Sequence, residues 1–464
     1  MNLTFDRDEL LKKSKEELID FFLEIILHLQ RRIQELEAQL SKPKKTSKNS
    51  SMPPSSGYKP KKEPRRGSPK KPGPKPGHEA HHKTLVDDPD CIHESRLESC
   101  PECGRSLYSN SQQTVCRQWL ELEEIRIKVH EEHRQFSTCS FCQKTVYAPS
   151  TVPDAPAAKQ HIGPYLKTFV SLLQYQYGVS RNKLKDFISR FSPCTISSGS
   201  IDRIMKEASR ATASYYDSLL AEVRKSEIIG VDETSWSVSG VNHWAWVFQN
   251  DTVSLYAIKP SRGSDVPKSV LGDTYEGVIV SDFYSSYSPV SASNKAKCNA
   301  HLIRDLIYGK ELEEQQNLAS GICGRLLDCV TQGLLLRRLK PNLYEYRYHE
   351  LVNDLKDEVA HELRRDIIDA YGLRIQKRFR KYSDDIFRYL TEANVPPTNN
   401  GSENALRKLV IHRKRCHGSR SDSGALGFAR MMSFIETAKK RGEDWVDQLY
   451  VLFKRPQEPI PDTS

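Results

Sequence analysis

Apolar residues at Ile19, Phe22, Ile26, Leu29, Ile33, Leu36 and Leu40 step by three and four, the spacing that lines one seam of a helix. The positions around them are Glu, Gln, Arg and Lys, so this narrow stripe has only another helix or a second copy of itself to bury it. The pattern predicts a self-associating coiled coil over residues 1–41. Helical periodicity returns in GPYLKTFVSLLQYQYGVSRNKLKDFISRF, breaks at Ser192-Pro193 and resumes in SSGSIDRIMKEASRATASYYDSLL, whose leading serines suit an N-cap. Residues 156–222 are therefore read as helical. They form either a helix-turn-helix element that meets DNA through Arg203 and Lys206, or a layer supporting the next domain.

From Ser226 the pattern becomes that of strands: SEIIGVDETSWSV, HWAWVFQND and TVSLYAIKPS, then a short helix around SDVPKSVLGD and a fourth strand, GVIVSDFYSSY. This order predicts a mixed sheet with helices packed on it, an arrangement that resembles the ribonuclease H-like fold. AKCNAHLIRDL reads as strand leading into helix. A charged helical block over residues 310–395 follows, closed by Pro396-Pro397, and then a basic helix in NNGSENALRKLVIHRKR.

Two of the strands end on an acid, Asp232 and Asp282, and a third acid, Glu403, opens the basic helix. A carboxylate at the edge of a sheet core is costly to desolvate unless it is paired, hydrogen-bonded or bound to a cation. Three of them placed in this way suit a pair of hard, oxygen-seeking ions such as Mg²⁺ or Mn²⁺, held about 4 Å apart for phosphodiester chemistry. On the helix, positions 403, 407, 410 and 414 share a face. Arg407 and Lys414, with Arg413 beside them, would therefore meet DNA phosphates along the line of Glu403. The bland reading of Glu403 and Arg407 is an ordinary surface pair. Cys298 and His301 lie in Cys-x-x-His spacing, but two ligands alone do not make a zinc site. His301 is read instead as orienting a phosphate or supporting Asp282, with a plain core role as the alternative for both.

Charge and cysteine change the picture in the N-terminal half. Of 464 residues, 70 are Lys or Arg against 60 acids, a net charge of +10. Part of that excess lies in a Pro-rich stretch, residues 42–84, where Lys42 to Lys83 hold nine prolines and thirteen Lys or Arg. Such a segment buries too little to fold alone and reads as a linker, either an arm that tracks DNA or a solvated spacer. The eleven cysteines are an odd number, and four of them form Cys100-x-x-Cys103 and Cys139-x-x-Cys142 around a strand-like stretch. Two knuckles joined by a hairpin predict a zinc ribbon over residues 85–155, the four thiolates binding Zn²⁺ tetrahedrally. Cys91, His93 and Cys116 are read as incidental. The longest apolar run, FFLEIILHL, is short and interrupted by Glu24, so neither a membrane span nor a signal peptide is expected, and a cytosolic protein is.

The motifs resemble, in order and over nearly the whole length, the DDE transposases of bacterial insertion sequences, and within them the insertion-sequence-66 group. NSSMPPSS, GPKPGH, CPECG with CSFC, VDET, SDFYSSY, CNAH and NNGSENALR carry the resemblance. It implies a multidomain α+β protein of the bacterial cytoplasm, associated with the nucleoid. A ribonuclease H-like catalytic domain over residues 223–309 and 396–440 would be interrupted by the helical insertion and followed by a tail, residues 441–464. It also implies Mg²⁺-dependent cutting and joining of DNA by an acidic triad matching Asp232, Asp282 and Glu403, and a Cys-x-x-His signature matching Cys298 and His301. Element ends and target DNA would be its partners, a homo-oligomer its working form, and small accessory proteins of the same element its associates. The rival expectation is a domesticated DNA-binding regulator without nuclease activity.

Overall fold

The computed structural model describes residues 160–454 apart from 194, 319 and 320, together with 14, 17, 21–23, 25–30, 43, 45, 46, 48–50, 86–94, 99–106, 116–120, 126–150, 152 and 156. The chain divides into two compact units, residues 1–58, 131–190 and 194–464 in one and 59–130 with 191–193 in the other.

In the larger unit a short hairpin, β1 (Phe136–Thr138) and β2 (Thr145–Tyr147), precedes four helices. These are α1 (Pro164–Ser171), continued by a π turn over Leu172–Gln176, α2 (Arg181–Phe191), α3 (Ser198–Ala211) and α4 (Ala213–Lys225). Ser197 caps α3, its side chain accepting from the Ser200 amide, as its leading serines predict.

The strands that follow are β3 (Ile228–Val238), β4 (Val241–Gln249), β5 (Ser254–Lys259), β6 (Thr274–Ser281) and β7 (Ser291–Lys297), with α5 (Asp265–Leu271) between β5 and β6. The β3–β4 turn is Ser239-Gly240, with φ of 50° and 80°, the backbone that two-residue hairpins demand. The sheet runs β5-β4-β3-β6-β7. β4 is antiparallel to both neighbours, whereas β3, β6 and β7 run parallel.

After β7 come α6 (Asn299–Gln315), α7 (Cys323–Leu339), α8 (Glu345–Glu362), α9 (Ala370–Thr391), α10 (Asn400–Cys416), α11 (Asp422–Lys440) and α12 (Trp445–Lys454). Strand alternation sends Ile229, Val231, Trp246, Phe248, Leu255 and Ile279 to one face, into a core shared with Leu219 and Val223 of α4 and Val266 and Val270 of α5. On the other face α10 packs against β3 and β4 while α11 packs against β5. The exposed ladder of the edge strand β5 is satisfied from α11: Ser433 Oγ accepts from Tyr256 N at 2.8 Å and Thr437 Oγ1 from Ser254 N at 3.0 Å. Val278, Val280 and Ala296 open a second core that continues through α6 to α9.

Residues 21–23 and 25–30 are helical, and Phe22, Ile26 and Leu29 are each about half-exposed. The remainder of the predicted zipper and most of the linker lie outside the described residues. Where the linker is described, Asn49 is buried and donates through Nδ2 to Glu311 Oε2 on α6 at 2.6 Å. No helix among the described residues is long and apolar enough to cross a membrane.

Candidate active site

Register sets the first two acids level. β3 and β6 pair as Ile228 with Val278, Ile229 with Ile279 and Gly230 with Val280. The same offset carries Asp232 alongside Asp282, the residue that follows β6. Alternation turns Asp232 to the face on which α10 packs.

The absence of a side chain at Gly230, two residues earlier on that face, lets the helix come close. A Cβ there would lie 2.6 Å from Ser402 Oγ, 2.9 Å from Gln249 Nε2 and 3.0 Å from Asn399 Oδ1. Asn399, which is 3% exposed, ties the parts together. Its Nδ2 donates to Val231 O at 2.8 Å, its Oδ1 accepts from Ser402 Oγ at 2.7 Å, and its amide donates to Cys298 Sγ at 3.1 Å. Its carbonyl accepts from the amides of Ser402 and Glu403 at 3.1 and 3.2 Å. One buried side chain thus fastens the first turn of α10, which carries Glu403, to the strand that carries Asp232. The far end of α10 is fastened too: the chain reverses through His417 and Gly418, with φ of 59° and 101°, and Ser419 pairs with Ser237 and Ser239 at the end of β3.

Burial pushes the Asp232 carboxyl up to about 8, helped by the like charges of Glu233, Asp282 and Glu403 and opposed by the Glu233 amide that donates to Oδ1 at 2.9 Å. Asp282 Oδ1 accepts from the Tyr284 amide at 2.8 Å. Lys297, at the end of β7, is buried and donates through Nζ to Asp282 O at 2.9 Å and Ser281 Oγ at 3.2 Å. Burial pushes its ammonium down to about 8, against the pull of Asp282 and Asp385. An acid this hard to ionise, among other acids, marks negative charge that a cation would neutralise.

Glu403 faces the start of α6. Its Oε1 lies 3.6 Å from His301 Nδ1 and 3.9 Å from an Arg304 guanidinium nitrogen. Oε1 and Nδ1 are both buried without a hydrogen-bond partner. Ligand atoms of Cys298, His301 and Glu403 all lie within 4.8 Å of one another. The third residue that Cys298 and His301 lack in the sequence is thus supplied by a distant helix.

Of the predicted phosphate contacts, Arg407 and Lys414 are exposed on α10. Arg413 turns back instead, its guanidinium donating to Ser235 O and Ser235 Oγ on β3. Three features escaped the sequence reading: the fastening by Asn399, the buried Lys297, and Glu233, which is held by Arg262 and Tyr287. The one available signal was the polar lysine closing the strand before CNAH.

The two cysteine knuckles, each taken by itself, share one local geometry. The Cys100 amide donates to Arg105 O at 2.8 Å and the Gly104 amide to Cys100 O at 2.8 Å, with Gly104 at φ 73°. Cys139 repeats this with Lys144 and Gln143 at 2.9 Å each, Gln143 standing at φ 57°. Backbone amides of Cys103 and Glu102 hold the Cys100 thiol below its usual range, and those of Cys142 and Phe141 do so for Cys139. Such turns favour thiolates.

A group of carboxylates with Asp232 largely buried among them, on a mixed α/β sheet and with exposed cations along the adjoining helix, defines a candidate metal centre beside a basic surface. Residues 159–426 match the family model described as Transposase IS66 family, and the chain belongs to that family. Residues 7–84 match a second model, described as a family of unknown function (DUF6444). An uncharacterized protein, y4hP, of Sinorhizobium fredii (strain NBRC 101917 / NGR234) is 24% identical over 404 residues, covering 76% of this chain and 70% of that protein. Membership of a transposase family supports a role in transposition, with DNA as partner and a divalent metal in the chemistry.

Proposed function

We propose that this chain is a DDE transposase that cuts the ends of an insertion sequence and joins them to target DNA, with Asp232, Asp282 and Glu403 holding two Mg²⁺ or Mn²⁺ ions. The observation that carries this reading is the placement of the three acids: a shared register for Asp232 and Asp282, and an Asn399 tie that brings the first turn of α10 to the same face. The donors fit the ions, since Asp232 and Asp282 offer hard oxygen and burial leaves Asp232 short of a neutralising charge. When bound, such ions activate the attacking oxygen and stabilise the leaving one. In the first reaction water attacks a phosphodiester at the element end, and the bond that breaks leaves a 3′-hydroxyl. In the second that hydroxyl attacks a target phosphodiester, forming one P–O bond and releasing the target's own 3′-hydroxyl.

The protein's residues position these partners. Lys297 fixes the backbone at Asp282, Asn399 fixes Glu403 against β3, and exposed Arg407 and Lys414 receive flanking phosphates. The sheet order, with β4 antiparallel to all the rest, supports a ribonuclease H-like reading of the catalytic domain. From the sequence, the N-terminal stripe mediates self-association, the basic linker engages DNA, and Cys100, Cys103, Cys139 and Cys142 hold a structural Zn²⁺.

Asp282→Asn is the test. Joining of pre-cut element ends in Mg²⁺ should fall by roughly a thousandfold, a loss of several kcal/mol of transition-state stabilisation. End binding in a mobility-shift assay should persist. Joining at the wild-type rate would sink the assignment, whereas binding without joining in the wild-type protein would favour a DNA-binding regulator.

A further inference from the structure

The meeting of two helix N-termini beside the candidate active site leaves an unexplained pair of atoms. Cys298 is the N-cap of α6, and His301 falls in its first turn. Asn399 is the N-cap of α10, and Glu403 falls in that helix's first turn. The junction is closed by backbone, the Asn299 amide donating to Pro397 O at 3.0 Å and the Asn399 amide to Cys298 Sγ at 3.1 Å. The amides of Ala300 and His301 also point at that sulfur. Burial, helped by the Glu403 charge, still holds the Cys298 thiol above its usual range against these three donors, so a sulfur so well supplied with donors lacks only a cation to be a thiolate.

Facing this sulfur are His301 Nδ1 and Glu403 Oε1, 3.6 Å apart, each buried without a hydrogen bond. Buried polar atoms are ordinarily paired. Two that stand this close and do not bond each other share a missing partner. A spacing of 3.6 Å matches two ligands of one tetrahedral ion with bonds of about 2.0–2.2 Å. Arg304, at 3.9 Å from the same oxygen and about one quarter exposed, has room to withdraw into solvent.

We propose that Cys298, His301 and Glu403 form a site for one borderline transition-metal ion of the zinc class, separate from the zinc of the cysteine knuckles. Thiolate, imidazole and carboxylate together select such an ion over Mg²⁺, and solvent or substrate oxygen completes the coordination. Glu403 then belongs to two ligand sets. An ion held by Cys298 and His301 fixes its carboxylate on the α6 side and governs how it is shared with Asp232 and Asp282. This last consequence rests on the transposase reading; the site itself does not.

The test reads metal rather than activity. Full-length wild type, Cys298→Ser, His301→Ala and Glu403→Gln are stripped with a chelator, reloaded with Co²⁺, desalted and assayed for bound cobalt and absorption. The knuckle cysteines contribute equally to all four. Each variant should retain about one cobalt ion per chain fewer than wild type, and Cys298→Ser should in addition lose part of the thiolate-to-cobalt charge-transfer band. Equal cobalt in wild type and in folded His301→Ala overturns the proposal, as does an unchanged band in Cys298→Ser. Should Cys298→Ser fail to fold, the partly exposed His301 decides the matter alone. Failure of Mg²⁺-dependent joining in wild type would overturn the transposase reading and leave the cobalt result standing.

Discussion

Glu233 follows Asp232 on β3 but points to the opposite face, so the two acids of the VDET motif answer to different neighbours. Its carboxylate accepts from Arg262 Nε at 3.0 Å and a terminal guanidinium nitrogen at 2.8 Å, and from the Tyr287 hydroxyl. Burial raises its carboxyl, and those two donors oppose the rise. Arg262 is itself held between the rings of Trp244 and Tyr284, at 4.4 and 4.1 Å from their centroids, and its carbonyl accepts from Ser286. Tyr284 is also the residue whose amide grips Asp282. The guanidinium therefore links the segments that follow both aspartates. Arg262→Ala should destabilise the protein by about 1–3 kcal/mol, the cost of a buried carboxylate that keeps the Tyr287 hydroxyl but loses its cation, reduced by Arg262's own partial exposure. Arg262→Lys should recover only part of that, because an ammonium lacks the flat fork. Urea unfolding of both variants measures it, and wild-type stability in Arg262→Ala would remove the link. None of this was legible in the sequence, where the acid, the arginine and the tyrosines are separated by dozens of residues and nothing in their spacing says that they meet.

At the scale of the element, α10 is the part whose position decides whether Glu403 belongs with the aspartates. The helix is held at its start by Asn399 and at its end by the turn through Gly418, and between them Leu406 and Leu409 are buried. Gly230→Ala places a methyl group against Ser402 and Asn399 and lifts that first turn away from β3. The expected cost is about 1–3 kcal/mol, as for other overpacked sites. Mg²⁺-dependent joining should fall further than end binding does, since only joining needs Glu403 close. Thermal unfolding alongside a joining assay separates the two effects, and full joining in a destabilised variant would show that the close approach is dispensable. Much at this scale was readable beforehand. The apolar runs in IIGVDETSW and GVIVSD marked the two strands that carry aspartates, and the serines before α3 marked its cap. β3 nevertheless runs on past Asp232 to Val238, because it pairs with β4 to that point, so only Asp282 stands at a strand's end. β7 was harder to read, because SASNKAK has almost no apolar rhythm and takes its form from pairing with β6. The π turn after α1 and the Asn399 fastening were invisible for a related reason: both depend on what the chain packs against.

In the molecule as a whole, the helical block between Asp282 and Glu403 shares its core with the sheet. Val278, Val280 and Ala296 of the sheet and Leu302 and Leu306 of α6 lie in one cluster with Leu326 and Val330 of α7, Val352, Leu355 and Val359 of α8, and Ile375, Phe379, Ile386 and Leu390 of α9. A polar tie adds to this packing. Asn299, next to Cys298, donates through Nδ2 to Ile386 O and Pro397 O, both at 3.1 Å, so α9 helps to set the end of α6 that presents His301. Replacing residues 310–395 by a short Gly/Ser linker would expose those five residues of the sheet and α6. At about 1.5–3 kcal/mol for each large apolar side chain, the loss approaches the 5–15 kcal/mol, roughly, by which a whole domain is stable. The shortened protein should therefore lack a cooperative melting transition and be digested by protease along its full length, rather than remain as a trimmed and folded catalytic domain. A sharp transition with a protected fragment covering β3 to β7 and α10 would mean that the block is an appendage. Loss of the fold would instead make it part of the scaffold on which Asp282, His301 and Glu403 are brought to one place.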